Sequence, residues 1–334
     1  MQSIVQLQIA ALTMEHSMME KSCAEIRMIQ RIFNNMKKAI KSWGKYVPWP
    51  VVQILLNAGV DATPGVRTRE VTIFFSDIAG FTSIVENLVP EKSLLLLSRY
   101  FNDMSKVIDE NQGIVIEFIG DAILAVFGAP VKNPDHPSAC CKAAMGMLQS
   151  LERINQWSAA RELPQISIRC GVHTGRVLIG NMGYHSRMKY GIVGRHADIP
   201  DRLEEANKTY GTNFLVSHAT VSRIPEDAYI VRPVDFVVFS AGAKMQPIYE
   251  VMARDRRATG KHKLRAPAAL HRRAMRKYRD GHFQQALDLF TEVNSTLKEL
   301  REVEEDPPSA LLIKRCQACI ERPPARWTGV WEQT

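Results

Sequence analysis

The stretch VTIFFSDIAGFT, residues 71–82, carries the strongest structural signal in this chain. Its first six residues are mostly β-branched or aromatic, so we expect a buried strand over Val71–Ser76. Asp77 follows at the end of this strand, and a glycine-containing segment then opens a helix. The free N–H groups of that helix start could cradle a polyphosphate, and they belong to Ala79, Gly80, Phe81 and Thr82.

A second acidic residue lies at the tip of a predicted hairpin. The runs Ile114–Ile119 and Ala122–Phe127 are typical of strands, and the Gly-Asp pair between them is a strong hairpin signal, which puts Asp121 at the turn. If the fold sets this hairpin beside the strand that ends at Asp77, the two carboxylates could hold a pair of divalent cations. The alternative is that Asp77 caps a helix and Asp121 is an ordinary turn residue.

The surrounding segment, residues 70–253, alternates short β-branched runs with helical periods. We expect three helices in it, over residues 90–112, 138–157 and 198–210. Further strands are expected over 166–172, 177–180, near 214, over 229–239 and over 247–252. The pattern predicts one mixed α/β domain that carries both acidic residues.

The first 45 residues predict a long connector helix. Apolar residues recur every seven positions, and the companion position three residues later becomes apolar from Ile29 onwards. This pattern favours a parallel two-stranded coiled coil that feeds a dimeric domain, and the alternative is a single amphipathic helix that packs on its own domain. Pro48 and Pro50 are expected to stop the helix, with residues 46–69 as a linker.

The C-terminal segment, residues 254–334, predicts a basic linker followed by a helical tail. Residues 254–279 hold 11 Lys and Arg against one acid, a local charge of +10 in a chain whose net charge is +8. The only aromatic residue among them is Tyr278, so the segment lacks a set of aromatic side chains on which bases could stack. We therefore expect no nucleic-acid binding. Two helices about Gly281 are similar to one tetratricopeptide unit, and we expect this pair to pack on the preceding domain.

Composition excludes several protein classes. The chain has 334 residues, of which 46% are hydrophobic and 23% charged, so it is neither disordered nor collagen-like. Its 6 cysteines show no framework spacing, which indicates a reducing compartment. We find no signal peptide and no stretch that could be a transmembrane segment, so we expect a cytoplasmic protein, with tethering through a longer membrane receptor as the alternative.

Four motifs follow one another in the central segment. They are VTIFFSDIAGFT at 71–82, FIGDAILAVFG at 118–128, GVHTGRVLIGNMG at 171–183, and YGIVG at 190–194 with RLE at 202–204. In order and spacing they resemble the catalytic domain of the class III nucleotidyl cyclases, over about residues 69–253. The resemblance implies a ferredoxin-like α/β (α+β) domain, here with an N-terminal coiled-coil helix and a C-terminal helical pair. It also implies a head-to-tail homodimer in which each active site is shared between two subunits.

The resemblance further implies which residues bind metal. Asp77 and Asp121, with the backbone carbonyl of Ile78, correspond to the ligands of two Mg²⁺ or Mn²⁺ ions. These ions would activate the ribose 3′-hydroxyl and hold the triphosphate. The hydroxyl would attack the α-phosphorus in line, and pyrophosphate would leave.

Residues from the second subunit are implied to complete the site. Arg202 matches the arginine that stabilises charge on the α-phosphate, a role suited to a fixed guanidinium. Four positions earlier the family usually has an Asn that orients the ribose, and this chain has Asp198. An ionised Asp donates no hydrogen bond and repels phosphate, so it must be protonated, turned away or metal-bridged, or turnover is poor. Lys244, near the last hairpin, is the candidate for a lysine that contacts the triphosphate.

The base preference is expected from Glu117 and Gly191. The family's adenylate cyclases carry a Lys at the position of Glu117, paired with an Asp or Thr at the position of Gly191. A carboxylate accepts from both the N1–H and the 2-amino group of guanine, and a glycine gives adenine no acceptor, so GTP is the expected substrate. We expect ATP to be disfavoured by about 2–4 kcal/mol. The resemblance therefore implies a guanylate cyclase.

Two alternatives stay open at this point. The chain could be an adenylate cyclase with relaxed base selection. It could also be a catalytically silent cyclase-like module that binds nucleotide and dimerises, and the presence of Asp198 is the reason to consider this second alternative. A connector helix also predicts an upstream sensor or receptor domain in a longer protein. In that case the helix would set the relative orientation of two catalytic domains.

Overall fold

The computed structural model describes residues 24–239, 244–255 and 262–331. These residues divide into two compact units, one that ends at Gly59 and one that begins at Val60. None of the helices within the described ranges combines the length and the apolar character that crossing a membrane requires.

From residue 24 onwards the first unit has two helices, α1 (Ala24–Trp43) and α2 (Trp49–Ala58). The predicted long helix is confirmed over α1, and its first 23 residues lie outside the described part of the chain. The expected linker contains α2. Helix α1 ends at Trp43, before Pro48, so the prolines do not stop it as expected. Instead Pro48 and Pro50 lie at the start of α2, where a proline loses no intrahelical hydrogen bond. Helix α1 exposes several large apolar side chains, namely Ile26, Met28, Ile29, Ile32, Phe33, Met36 and Trp43.

The second unit is built on one sheet of eight strands. The strands are β1 (Gly65–Ile78), β2 (Gly113–Ile119), β3 (Ala122–Phe127), β4 (Ile168–Tyr184), β5 (Arg187–Val193), β6 (Phe214–Ser217), β7 (Tyr229–Val237) and β8 (Gln246–Arg254). Their order is β2-β3-β1-β4-β6-β8-β7, and β5 pairs with β4 off this path. Strands β4 and β6 are parallel, so the chain between them must cross over, whereas β1 pairs antiparallel with both β3 and β4.

Five helices accompany these strands. They are α3 (Phe81–Glu86), α4 (Pro90–Glu110), α5 (His136–Ala159), α6 (Ile199–Tyr210) and α7 (His218–Val221). Helix α4 buries one residue per turn at Leu96, Tyr100, Met104 and Ile108, and this stripe shares a core with α5 and the sheet. The predicted mixed α/β domain is confirmed.

Strand β4 runs without a break through the two short strands expected there. Gly175 does not interrupt the strand; it permits a close approach, because a Cβ atom at this position would lie only 2.7 Å from Cγ of His196. Strand β1 likewise begins six residues before the expected Val71.

Between residues 262 and 331 the C-terminal tail forms three helices, α8 (Arg265–Arg279), α9 (Phe283–Arg301) and α10 (Pro307–Glu321). The first two confirm the predicted pair about Gly281. The third was not expected, although its start has a clear signal: the Asp306 side chain accepts from the Ser309 N–H, and two prolines follow Asp306. Apolar residues from all three helices form one core cluster. The tail packs on the preceding domain, as expected, because Arg232 of β7 donates to the Asp306 carboxylate at 2.6 and 2.8 Å.

Candidate active site

The two predicted acidic residues meet at the end of β1. Strand β1 pairs with β3, and Gly120, in the left-handed conformation at φ 63°, turns the chain between β2 and β3. This turn carries Asp121 back to β1, where its Oδ2 accepts from the Ile78 N–H at 3.1 Å. Asp77 is the residue before Ile78, so the carboxylates lie on adjacent strands at one edge of the site.

The charge state of Asp121 reflects this pairing. Burial first, and then the hydrogen bond and negative charge of Asp77, together raise its pKa to about 7, against the lowering effect of the Ile78 N–H. Among the described residues, no three His, Cys, Asp or Glu side chains cluster as metal ligands. Two adjacent carboxylates, one of them with a raised pKa, fit a divalent cation that takes its other oxygens from a backbone carbonyl and from substrate phosphate.

Arg169 is a site residue that sequence reasoning missed. Its Nη2 lies 3.5 Å from Oδ2 of Asp77, and its Nε donates to Oε1 of Glu204 in α6 at 2.6 Å. Asp77 and Arg169 are direct cross-strand partners on β1 and β4, a register that only the folded sheet reveals. Arg169 therefore connects the acidic pair to α6.

The predicted phosphate-binding turn follows Ile78. Gly80 is left-handed at φ 69° and precedes α3, which leaves the first N–H groups of the helix without intrahelical partners. The Ala79 N–H already donates to the Ser167 carbonyl at 2.9 Å, so it is not among the free donors. The donors that remain for an anion begin at Gly80.

The predicted base-reading residues lie beside β5. The Glu117 carboxylate is 41% exposed and forms an ion pair with Lys189, which sequence reasoning did not single out. Lys189 is two residues before Gly191 on β5, so both project to the same face of the strand. A Cβ atom at Gly191 would meet only Sδ of Met182, at 3.5 Å, so the glycine leaves open space.

Helix α6 carries the residues predicted to come from the second subunit. Asp198 is the N-cap residue of α6, but its carboxylate does not accept a hydrogen bond from the first N–H groups of the helix. Arg202 donates from Nη1 to the Phe239 carbonyl at 2.8 Å. The pKa of Asp201 is raised by burial and by the negative charges of Glu205, Asp198 and Asp77. The start of α6 therefore lies close enough to Asp77 for its negative charge to act on Asp201.

The last predicted residue, Lys244, is exposed and lies two residues before β8. Its contact with a triphosphate stays a prediction. The fold thus groups the site residues into the acidic pair with its glycine turn, the Glu117 region beside β5, and the start of α6.

Known proteins with similar sequences include adenylate cyclases. The chain is 33% identical to adenylate cyclase 1 of Rhizobium meliloti over 229 residues, which is 69% of this chain and 34% of that protein. It is 31% identical to the adenylate cyclase of Anabaena cylindrica, over 67% of this chain and 45% of that protein. The chain therefore spans less than half the length of these relatives.

Solved structures agree with this result. The guanylyl cyclase Cya2 superposes with a TM-score of 0.53 at 30% identity, over 59% of this chain and 98% of that one. The adenylyl cyclase CyaB from P. aeruginosa gives a TM-score of 0.53 at 30% identity, over 59% of this chain and all of the other. A sequence profile described as the adenylate and guanylate cyclase catalytic domain matches residues 64–249, more than half of the chain. The chain therefore belongs to the class III adenylate and guanylate cyclase family.

Proposed function

We propose that this chain is a guanylate cyclase that converts GTP to 3′,5′-cyclic GMP and pyrophosphate. The observation that carries the base assignment is the Glu117 carboxylate, which contacts Lys189 of β5, two residues before the open backbone at Gly191. Guanine presents N1–H and the 2-amino group side by side, and one carboxylate accepts from both. The Lys189 ammonium, held next to Glu117, would donate to the guanine 6-oxygen in the space that Gly191 leaves.

The acidic pair would hold the metal ions. Asp77 and Asp121, with the Ile78 carbonyl, would bind two Mg²⁺ or Mn²⁺ ions, and the raised pKa of Asp121 supports this because a cation relieves the repulsion between the two carboxylates. When bound, such ions supply Lewis acidity at the ribose 3′-hydroxyl and neutralise charge on the triphosphate. The free N–H groups at the start of α3, from Gly80 to Thr82, would donate to phosphate oxygens.

Arg202 would stabilise the transition state. Its guanidinium, contributed by the second subunit of a homodimer, would donate to the α-phosphate oxygens as charge develops there. Asp198 would lie near the ribose, where an ionised carboxylate repels phosphate. We therefore expect Asp198→Asn to raise kcat, and a fall in kcat would instead give Asp198 a role of its own. Lys244 would bind the β- or γ-phosphate.

The shared site requires a homodimer, and α1 supports one. Five of its exposed apolar side chains lie at the heptad positions expected of a two-stranded coiled coil, namely Ile26, Ile29, Phe33, Met36 and Trp43. Deleting residues 1–45 should weaken dimerisation in sedimentation velocity experiments. An unchanged sedimentation profile would remove the coiled coil from the mechanism. An upstream sensor domain would act through this helix.

The experiment that tests the proposal is a product assay. The purified full chain is incubated with GTP or with ATP in the presence of Mn²⁺, and both cyclic nucleotides are quantified. We expect cyclic GMP as the product. Comparable amounts of both products would contradict the Glu117 argument, and the absence of both would identify a catalytically silent module.

Adenylate cyclase activity is the second candidate, and Lys189 is the observation that favours it. If the ammonium of Lys189 rather than the Glu117 carboxylate faced the base, it would donate to adenine N1, which is an acceptor. The names of the two relatives above agree with this candidate. Cyclic AMP as the dominant product, lost in Lys189→Met, would establish it.

A further inference from the structure

Buried charged side chains join the C-terminal helices to β7. Arg232 is completely buried, and it donates to Glu250 of β8 at 2.5 Å and, through both terminal nitrogens, to Asp306. Because Asp306 is the N-cap residue of α10, this pair fixes the start of that helix to the sheet. A buried ion pair of this kind is costly to break, since either partner alone would be an uncompensated charge.

The same strand joins α10 to α6 three residues further on. Oδ2 of Asp235 accepts from the Tyr210 hydroxyl at 2.7 Å and from Nη1 of Arg315 at 2.6 Å. Its Oδ1 accepts from the Phe236 N–H at 2.7 Å. Asp235 is 5% exposed and Arg315 is 7% exposed, so this cluster is shielded from water. One carboxylate thus connects the last residue of α6 to α10.

Direct packing accompanies these hydrogen bonds. Gly211 caps the C-terminus of α6 in the left-handed conformation, and a Cβ atom there would lie 2.4 Å from Cβ of Pro307, the first residue of α10. Leu311 of α10 packs against the apolar cluster that contains Leu203 of α6. The C-terminal tail therefore packs against the C-terminal end of α6 and joins the apolar cluster beneath the helix.

The opposite side of α6 is held just as closely. A Cβ atom at Gly171 of β4 would lie 1.9 Å from the Pro200 carbonyl oxygen, so the helix backbone rests directly on the strand. Asn207 donates to the Cys170 carbonyl at 3.1 Å. Helix α6 is thus held against β4 along one face and by the C-terminal tail at its C-terminal end, and this helix carries Arg202.

We infer that Asp235 and Arg315 are positioning residues for Arg202, so that the C-terminal tail is a working part of the catalytic unit. They hold the C-terminal end of α6, and the helix transmits this constraint to the Arg202 guanidinium. Neither contacts the nucleotide. The role of Arg202 in the transition state rests on the proposed function, but the constraint on α6 does not.

The test replaces Arg315 in the full chain. In Arg315→Met the Asp235 carboxylate loses its counter-charge, whereas most of the unbranched stem of the side chain is kept. A guanidinium that acts in the transition state is sensitive to small displacements, so we expect kcat to fall about tenfold and KM for the nucleotide to stay within about twofold. Arg315→Lys should restore most of kcat. The matched control is Lys314→Met, which removes an exposed cation from the same helix and should change neither constant.

Amide hydrogen exchange gives a readout that needs no activity. We expect faster exchange in residues 199–210 of Arg315→Met, with unchanged exchange in α4, which belongs to a different core. Tyr210→Phe, which removes only a hydroxyl, provides the same measurement if Arg315→Met does not fold. A folded Arg315→Met with unchanged kcat, or a raised KM with unchanged kcat, would overturn the inference, as would unchanged exchange in α6. If the wild-type chain makes no cyclic nucleotide, the proposed function fails, and the exchange measurement still decides whether the tail constrains α6.

Discussion

Two aspartates in this molecule have opposite electrostatic surroundings. Asp306 lies in the C-terminal tail, where burial would raise the pKa of its carboxyl but the hydrogen bonds and charge of Arg232 outweigh burial and hold that pKa below its ordinary value. Asp121 lies in the candidate active site, where burial and the neighbouring Asp77 raise its pKa to about 7. The first carboxylate is fully compensated by its own chain, whereas the second is not.

The difference indicates what each region is for. A carboxylate that is paired and buried within the chain stabilises the fold and has no capacity left for a ligand. A carboxylate held beside another carboxylate destabilises the fold unless something positive binds, which is typical of a functional site. Glu117 is intermediate between these two cases. Its charge is paired with Lys189 of the same chain, but both side chains are exposed and remain accessible to a ligand.

The largest expected effect is the loss of turnover in Asp77→Ala. Removing one member of the acidic pair removes a proposed metal ligand, and we expect kcat to fall at least about 1000-fold. The unfolding temperature should not decrease, because the repulsion from Asp121 is also removed. Asp288→Ala, an exposed aspartate of α9, is the control and should retain full activity. Retained activity in Asp77→Ala would show that the pair is not catalytic.

The next effect is the destabilisation of the fold by Arg232→Met. This variant leaves Glu250 and Asp306 buried with Arg301, at 3.5 and 3.7 Å, as their remaining ion-pair partner. Because both carboxylates lose their closest partner, we expect a loss of about 3 kcal/mol in the free energy of unfolding, measured with urea. The matched control is Arg223→Met, because Arg223 pairs with Glu70 at the surface and both side chains are 40% exposed. That variant should lose less than about 1 kcal/mol. Equal losses in the two variants would show that the buried ion pairs of Arg232 contribute no more to stability than the exposed pair of Arg223.

A smaller effect is expected at the exposed pair. In Glu117→Gln one acceptor for guanine becomes a donor, and we expect the ratio of kcat/KM for GTP to that for ATP to fall about 30-fold. Because the ion pair with Lys189 is exposed, the free energy of unfolding should change by less than about 1 kcal/mol. Glu91→Gln, at the start of α4, controls for the loss of an exposed acid. An unchanged ratio would remove Glu117 from base recognition.

The smallest effect is a gain in stability from Asp121→Asn in the presence of EDTA. Because the pKa of Asp121 is higher in the folded state than in the unfolded state, the folded wild type binds more protons between about pH 4 and about pH 7. The stabilisation that Asp121 contributes to the folded wild type is therefore lost as the pH rises from about 4 to about 7. The variant lacks this loss, so its unfolding temperature should exceed that of the wild type at pH 8 by more than at pH 4. A constant difference across this range would contradict the pairing of the two carboxylates.

Much of the candidate site could be predicted from local sequence. The Gly-Asp pair predicts its own hairpin, and the strand before Asp77 is evident from its β-branched residues. Arg169 and Lys189 could not be found in this way. Their partners are 92 and 72 residues away in sequence, and the pairs exist only because β1 lies against β4 and β2 lies near β5.

The tail illustrates the same limit. Its first two helices are predicted by the spacing of apolar residues. The third has a recognisable start, because an aspartate cap is followed by two prolines. That Asp235 would join α6 to α10 is not encoded in any local pattern, because three separate elements must dock before one carboxylate can accept from all of them.

The sequence by itself determined the order of strands and helices, the glycine turns and the identity of the acidic residues, since these depend on neighbours within a few positions. Only the tertiary structure decided which charges meet. Whether a carboxylate is compensated or left for a ligand depends on long-range register and burial, and here those two factors separate Asp306 from Asp121.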